Sequence, residues 1–104
     1  MCCGLTQQTL KGILGVFTQY QEVEQAVLYG SRAKGNYRPG SDIDISLKGA
    51  ALNMSLLFKI MEQLELLDLP DFPYEIDLSL YVQIENISLL EHIERVGKVI
   101  YQRH

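Results

Sequence analysis

Leu28-Tyr29-Gly30-Ser31-Arg32-Ala33-Lys34-Gly35, followed after three residues by Pro39-Gly40-Ser41-Asp42-Ile43-Asp44-Ile45, is the stretch on which the fold turns. It joins an apolar run, a small-residue turn bearing one hydroxyl and flanking cations, and two carboxylates at i and i+2. Residues two apart on a strand point the same way, with backbone positions roughly 6.5–7 Å apart. Both carboxylates can therefore converge on one side of a sheet, where unpaired they would repel and raise each other's pKa. A hard dication relieves that cost. Mg²⁺ in particular takes a few carboxylate oxygens together with water and phosphate oxygens. Gly30-Ser31, directly after an apolar run, offers backbone N–H groups and a hydroxyl to an anion, and Arg32, Lys34 and Arg38 supply cations close by. For Asp-x-Asp alone, a turn-forming Asp at an exposed strand end is the better explanation, because short acidic spacings are common. The two halves together carry more than either.

Outward from that stretch, residues 23–29 are short, rich in Val, Leu and Tyr and closed by Gly30, which predicts a strand. Residues 30–35 turn into a short helix with Ser31 near its N-cap, and residues 36–41 read as loop. Residues 42–47 alternate, with Asp42, Asp44 and Ser46 on one face and Ile43, Ile45 and Leu47 on the other. Before the first strand, Leu10, Ile13, Leu14 and Phe17 recur at i, i+3, i+4 and i+7, predicting a helix over residues 6–20. After the second strand, Asn53 is an N-cap for a helix to residue 67, with Met54, Leu57, Phe58, Met61 and Leu64 as its apolar stripe. Two prolines break the chain at residues 68–73. Residues 74–82 alternate again, with Glu75, Asp77, Ser79 and Tyr81 opposite Ile76, Leu78, Leu80 and Val82. A last helix spans residues 88–96, closed by Gly97 as C-cap, and residues 99–101 add a short strand. This order predicts an α/β or α+β fold, a sheet covered by helices.

A chain of 104 residues is long enough to bury one core without staples, and is expected to form one domain over residues 1–104. Nine basic residues against thirteen acidic ones give a net charge of −4. A polynucleotide ligand is not expected, because such binders draw much of their affinity from cations set against phosphates. Cys2 and Cys3 are adjacent and close no useful loop, and no second Cys or His group gives a zinc-ligand spacing. Reduced thiols, no secretion signal and no membrane-length apolar run point to a cytoplasmic protein.

Asp77, between Ile76 and Leu78, can bring a third carboxylate to the acidic face, whereas Glu75 falls at the start of its strand. Other chemistries fail specific checks. A P-loop needs Gly-x-x-x-x-Gly-Lys-Ser/Thr, and here Gly35 precedes Asn36-Tyr37. An EF-hand starting at Asp42 needs Gly where Leu47 stands and Glu where Asn53 stands. Ser31 has no nucleophile elbow. His92 is assigned to the solvent face of the last helix and His104 to the terminus, neither with a catalytic role.

Gly30-Ser31, ten intervening residues and Asp42-x-Asp44 resemble the signature of the nucleotidyltransferase superfamily that includes DNA polymerase β and the kanamycin-type transferases. The Gly-Ser-Arg-Ala-x-Gly and Ser-Asp-Ile-Asp wording is most similar to its minimal nucleotidyltransferase (MNT) group, and the likeness runs to Gly97-Lys98-Val99-Ile100-Tyr101. The resemblance implies a short mixed sheet flanked by helices, the palm-like fold of polymerase β. It implies transfer of a nucleoside monophosphate from a triphosphate, ATP or another, to an acceptor hydroxyl. Gly30 and Ser31, with Arg32 and Lys34, would bind the triphosphate. Asp42, Asp44 and Asp77 would be both catalytic and metal-binding, on a two-metal Mg²⁺ site. The larger transferases carry an extra domain that walls the acceptor, and none is expected in this chain. MNT proteins resemble the antitoxin half of two-component systems whose other half is a helical HEPN-domain protein, adenylylated in some cases. An acidic chain suits such a protein acceptor. A non-catalytic module that silences its partner by binding, and a transferase acting on an aminoglycoside-type small molecule, are the alternatives. The apolar stripes are expected to be core, with a homo-oligomer left open.

Overall fold

The computed structural model describes residues 5–36, 38, 42–67 and 75–103. Cys2 and Cys3, the Pro39-Gly40-Ser41 loop, the break at residues 68–73, the predicted strand start at Tyr74 and the terminal His104 lie outside the described residues.

The chain order is α1 (Gln7–Thr18), β1 (Gln25–Tyr29), α2 (Ser31–Lys34), β2 (Ile43–Lys48), α3 (Met54–Glu65), β3 (Ile76–Leu80), a 3₁₀ turn (Tyr81–Gln83), α4 (Ile87–Val96) and β4 (Lys98–Gln102). The four strands form one sheet in the order β3-β2-β1-β4. β1 runs antiparallel to β2 and β4, while β2 and β3 are parallel. The expected short mixed sheet flanked by helices is present. Among the described residues no helix is long and apolar enough to cross a membrane.

Each long helix begins where a polar side chain caps its first turn. The Thr6 hydroxyl accepts from the Thr9 N–H at 3.1 Å, Asn53 Oδ1 from Leu56 at 2.9 Å and Asn86 Oδ1 from Leu89 at 3.2 Å. Strand alternation then sorts the two faces of the sheet. Ala26 and Leu28, Ile43, Ile45 and Leu47, and Leu78 and Leu80 pack with Ile13, Val16 and Phe17 of α1 and Leu57, Ile60 and Leu64 of α3. The opposite face is only partly covered. There Val27 and Tyr29 meet Ile93 of α4, with Tyr81, Ile84 and Leu89 around them.

Three expectations change. The buried stripe of α3 is Leu57, Ile60 and Leu64, whereas Met54 and Phe58 stand 39% and 61% exposed. Two overlapping stripes were open to this helix, and packing on α1 and the sheet selected the one containing Ile60. The third strand stops at Leu80, because Tyr81 turns to donate its hydroxyl to Glu94 of α4 while Lys48 Nζ sits 4.2 Å from the Tyr81 ring centroid. Gly97 does occupy the C-cap of α4, but in an extended rather than left-handed conformation (φ −60°, ψ 143°). Its requirement is space: a Cβ there would run into the Ile93 carbonyl and lie 2.7 Å from Val27 Cγ1.

Arg103, just past β4, closes the far end of α1. Its guanidinium donates to the carbonyls of Thr18 and Tyr20 at 3.2 Å and to that of Val23 at 3.3 Å. Carbonyls at a helix C-terminus lack intrahelical partners and carry partial negative charge, so a cation suits them. Arg103→Ala is expected to cost about 1–2 kcal/mol. Urea denaturation monitored by circular dichroism checks this.

Candidate active site

The site grows from the register of three strands. Tyr29 of β1 lies opposite Asp44 of β2, and Asp44 lies opposite Asp77 of β3. Cross-strand partners share a face, so these side chains form a row on the partly covered side, with adjacent strands about 4.8 Å apart. The Ile43 N–H donates to the Glu75 carbonyl at 2.9 Å and fixes the start of the β2–β3 pairing. Asp42 stands just before β2, two residues from Asp44. Asp42 and Asp77 are exposed and Asp44 is half-buried.

This row is costly in negative charge. Burial first, then the charges of Asp77 and Asp42, push the Asp44 carboxyl above the usual carboxylate range. Burial also raises the Tyr29 phenol, and Asp44 and Asp77 add to it. A cation among these oxygens would remove the repulsion. The donor set fits Mg²⁺, a hard ion commonly held by one or two carboxylates with water and substrate phosphate. Among the described residues no group of three or more His, Cys, Asp or Glu side chains is gathered closely enough to hold a metal ion. The fit therefore rests on donor chemistry and charge rather than on a ready-made cage.

The turn after β1 touches the acidic row. Gly30 has φ 77° and ψ −158°, a region essentially confined to glycine. It is the N-cap of α2, so Ser31 is the first helical residue rather than the cap, and it is half-buried. A Cβ on Gly30 would collide with Asp44 Oδ2 and lie 3.3 Å from its Cγ. Glycine at this position lets the turn and the carboxylate come together. Lys34 N–H bonds back to the Gly30 carbonyl at 3.1 Å, and Gly35 (φ 86°), in the left-handed conformation, closes the short helix by donating to Ser31 at 3.0 Å.

The cations divide. Lys34 is exposed, beside the turn. Arg32, assigned from sequence to the nucleotide site, is only 2% exposed and is the largest fully buried side chain. A guanidinium keeps its charge when buried and is retained there only with partners; Arg32 is not free.

His92 is the residue that sequence reasoning missed. It was assigned to solvent without a role, yet it is half-buried, and its Nε2 accepts the Gly30 N–H at 3.0 Å. The Tyr29 ring meets it edge-on, with centroids 6.3 Å apart at 80°. The signal was present: Leu89, His92, Ile93 and Val96 recur at i, i+3, i+4 and i+7, the packed face of α4.

The chain belongs to the polymerase β nucleotidyltransferase family, which it matches over residues 11–104. No curated protein is a significant match. Among solved structures, the fold is similar to a toxin–antitoxin complex determined with AMP-PNP: TM-score 0.68 and 19% identity, covering 96% of this chain and 76% of that one. It is also similar to the complex of an MNT antitoxin with a tri-AMPylated HEPN toxin from Shewanella oneidensis: TM-score 0.66, 17% identity, 95% and 74% coverage. The MntA–HepT toxin–antitoxin gives TM-score 0.66 and 17% identity, with 94% and 74% coverage. Likeness at these identities establishes the fold.

Proposed function

We propose that this chain is an adenylyltransferase that moves AMP from ATP to a hydroxyl of a HEPN-type partner protein, and so acts as the antitoxin of a two-component system in the cytoplasm. The observation that carries the reading is the register of Asp44 against Asp77, with Asp42 two residues before and Gly30 in contact with the Asp44 carboxylate. Similar complexes solved with AMP-PNP and with an AMPylated HEPN toxin support the donor and the acceptor.

The turn at Gly30-Ser31 seats the triphosphate, with glycine giving it room, the Ser31 hydroxyl donating to a phosphate oxygen and exposed Lys34 contributing charge. Asp42, Asp44 and Asp77 would hold Mg²⁺, which when bound neutralises charge on the attacking and leaving oxygens. Asp77, exposed at the acceptor side, takes the proton from the incoming hydroxyl. The hydroxyl oxygen bonds to the α-phosphorus, the bond from that phosphorus to the bridging oxygen breaks, and pyrophosphate leaves.

The test is neutralisation of the adjacent open reading frame's product in cells. Asp42→Asn and Asp44→Asn variants, expressed at wild-type level, should fail to protect. Full protection by both would favour the stoichiometric binder instead. ATP-dependent loss of aminoglycoside potency would favour the small-molecule transferase.

A further inference from the structure

The Gly30 amide, which sequence analysis gave to an anion, is already taken. It donates to His92 Nε2, a side chain 62 residues further along the chain. A histidine nitrogen that accepts must be unprotonated, so the ring is neutral and carries its proton on Nδ1. Packing of α4 against β1, together with one contact to the ring itself, holds the imidazole in place. Ile93, its neighbour on α4, is buried against Val27 and Tyr29. Gly97 brings the end of α4 close to Val27, and the Tyr29 ring abuts the imidazole. Gly30 needs such an anchor, because its backbone lies in a region that few residues occupy and its α-carbon faces Asp44 Oδ2. The orientation of the Tyr29–Gly30 peptide sets where Ser31 begins the short helix. It also sets how much room Asp44 has.

We propose that His92 is a positioning residue for nucleotide binding: its Nε2 holds the Gly30 peptide so that the Ser31 turn and the Asp44 carboxylate keep the spacing a triphosphate requires. The assignment of the turn to a triphosphate rests on the function proposed above, whereas the hydrogen bond does not. A side chain of similar reach that keeps an acceptor preserves the anchor, and an apolar one leaves a half-buried N–H unsatisfied.

Two measurements separate the inference from the function beneath it. Long-range ¹H–¹⁵N correlation on the wild-type protein should show the Nδ1–H tautomer of His92, and its Gly30 amide resonance should move in His92→Leu. An Nε2–H tautomer would overturn the inference irrespective of nucleotide binding. Calorimetry with AMP-PNP and Mg²⁺ should then give His92→Leu an affinity about tenfold weaker, with His92→Gln restored to within about threefold of wild type. Equal affinity in His92→Leu and wild type, or equal loss in His92→Gln and His92→Leu, would also overturn it. Absence of AMP-PNP binding by the wild type would remove the nucleotide function and with it the role in nucleotide binding. The anchoring of Gly30 would then be judged by the tautomer alone.

Discussion

Asp44→Asn should abolish nucleotidyl transfer and, at neutral pH, leave the protein more stable than wild type. The two effects share one cause. Asp44 is half-buried in a row with Asp77 and beside Asp42, and burial together with those charges lifts its carboxyl above the ordinary range. Such a group binds its proton more tightly in the folded state than in the unfolded one, so ionisation costs folded stability. That penalty is absent below the unfolded carboxylate pKa of about 4, grows as pH rises through the interval up to the folded value, and is complete above it. Replacing the carboxylate by its neutral isostere removes the penalty. Allowing for solvent screening, the gain is up to about 1 kcal/mol, or a few degrees in Tm. The same substitution removes an oxygen proposed to hold the metal ion, and transfer should fall on the order of 10³-fold. Thermal denaturation at pH 4 and pH 7, with and without Mg²⁺, checks the pair of effects. The variant's advantage should be full at pH 7 and shrink markedly at pH 4, and Mg²⁺ should stabilise wild type but not the variant. A variant less stable than wild type at pH 7 would contradict this account of the site's charge.

Gly30→Ala should be more damaging to the fold than any surface substitution near the site. The backbone there (φ 77°, ψ −158°) costs a non-glycine residue on the order of 1–3 kcal/mol. The added methyl would also strike Asp44 Oδ2, so either the turn or the carboxylate must move. A total loss of about 3 kcal/mol or more is expected, large against the order of 5–15 kcal/mol that holds a domain together. AMP-PNP binding should be lost even at temperatures where the variant remains folded. Denaturant titration and calorimetry on the same sample check both points, and unchanged affinity in a folded Gly30→Ala protein would show that the turn does not hold the nucleotide.

Much of this was legible in the sequence because it depends on short-range periodicity. The i, i+2 alternation of residues 42–47 fixes which side Asp42 and Asp44 face, whatever the rest of the chain does. Asn53 announced its helix through capping chemistry, which is equally local. What lay beyond reach depended on partners distant in the chain. Asp77 could be placed on the correct face of its strand, but only the parallel register of β2 and β3 sets it opposite Asp44 rather than two residues away. Arg32 was read as a cation for the triphosphate, whereas it is only 2% exposed, and burial is a property of the whole fold that no local pattern shows. Phe58 and Ile60 competed for the core, and the geometry of α1 and the sheet decided between them. His92 was misplaced although its helical period was readable, because a polar residue on a packed stripe is informative only once its partner is known.

The central claim is that this chain transfers the nucleotidyl group, not the terminal phosphate, to a protein. It is tested most directly by incubating the wild-type protein and the adjacent open reading frame's product with Mg²⁺ and ATP labelled at either the α- or the γ-phosphate. The account predicts that α-label becomes covalently attached to the partner, that γ-label does not, and that Asp42→Asn and Asp44→Asn each prevent the attachment. No α-label on the partner, or attachment of γ-label instead, would contradict it.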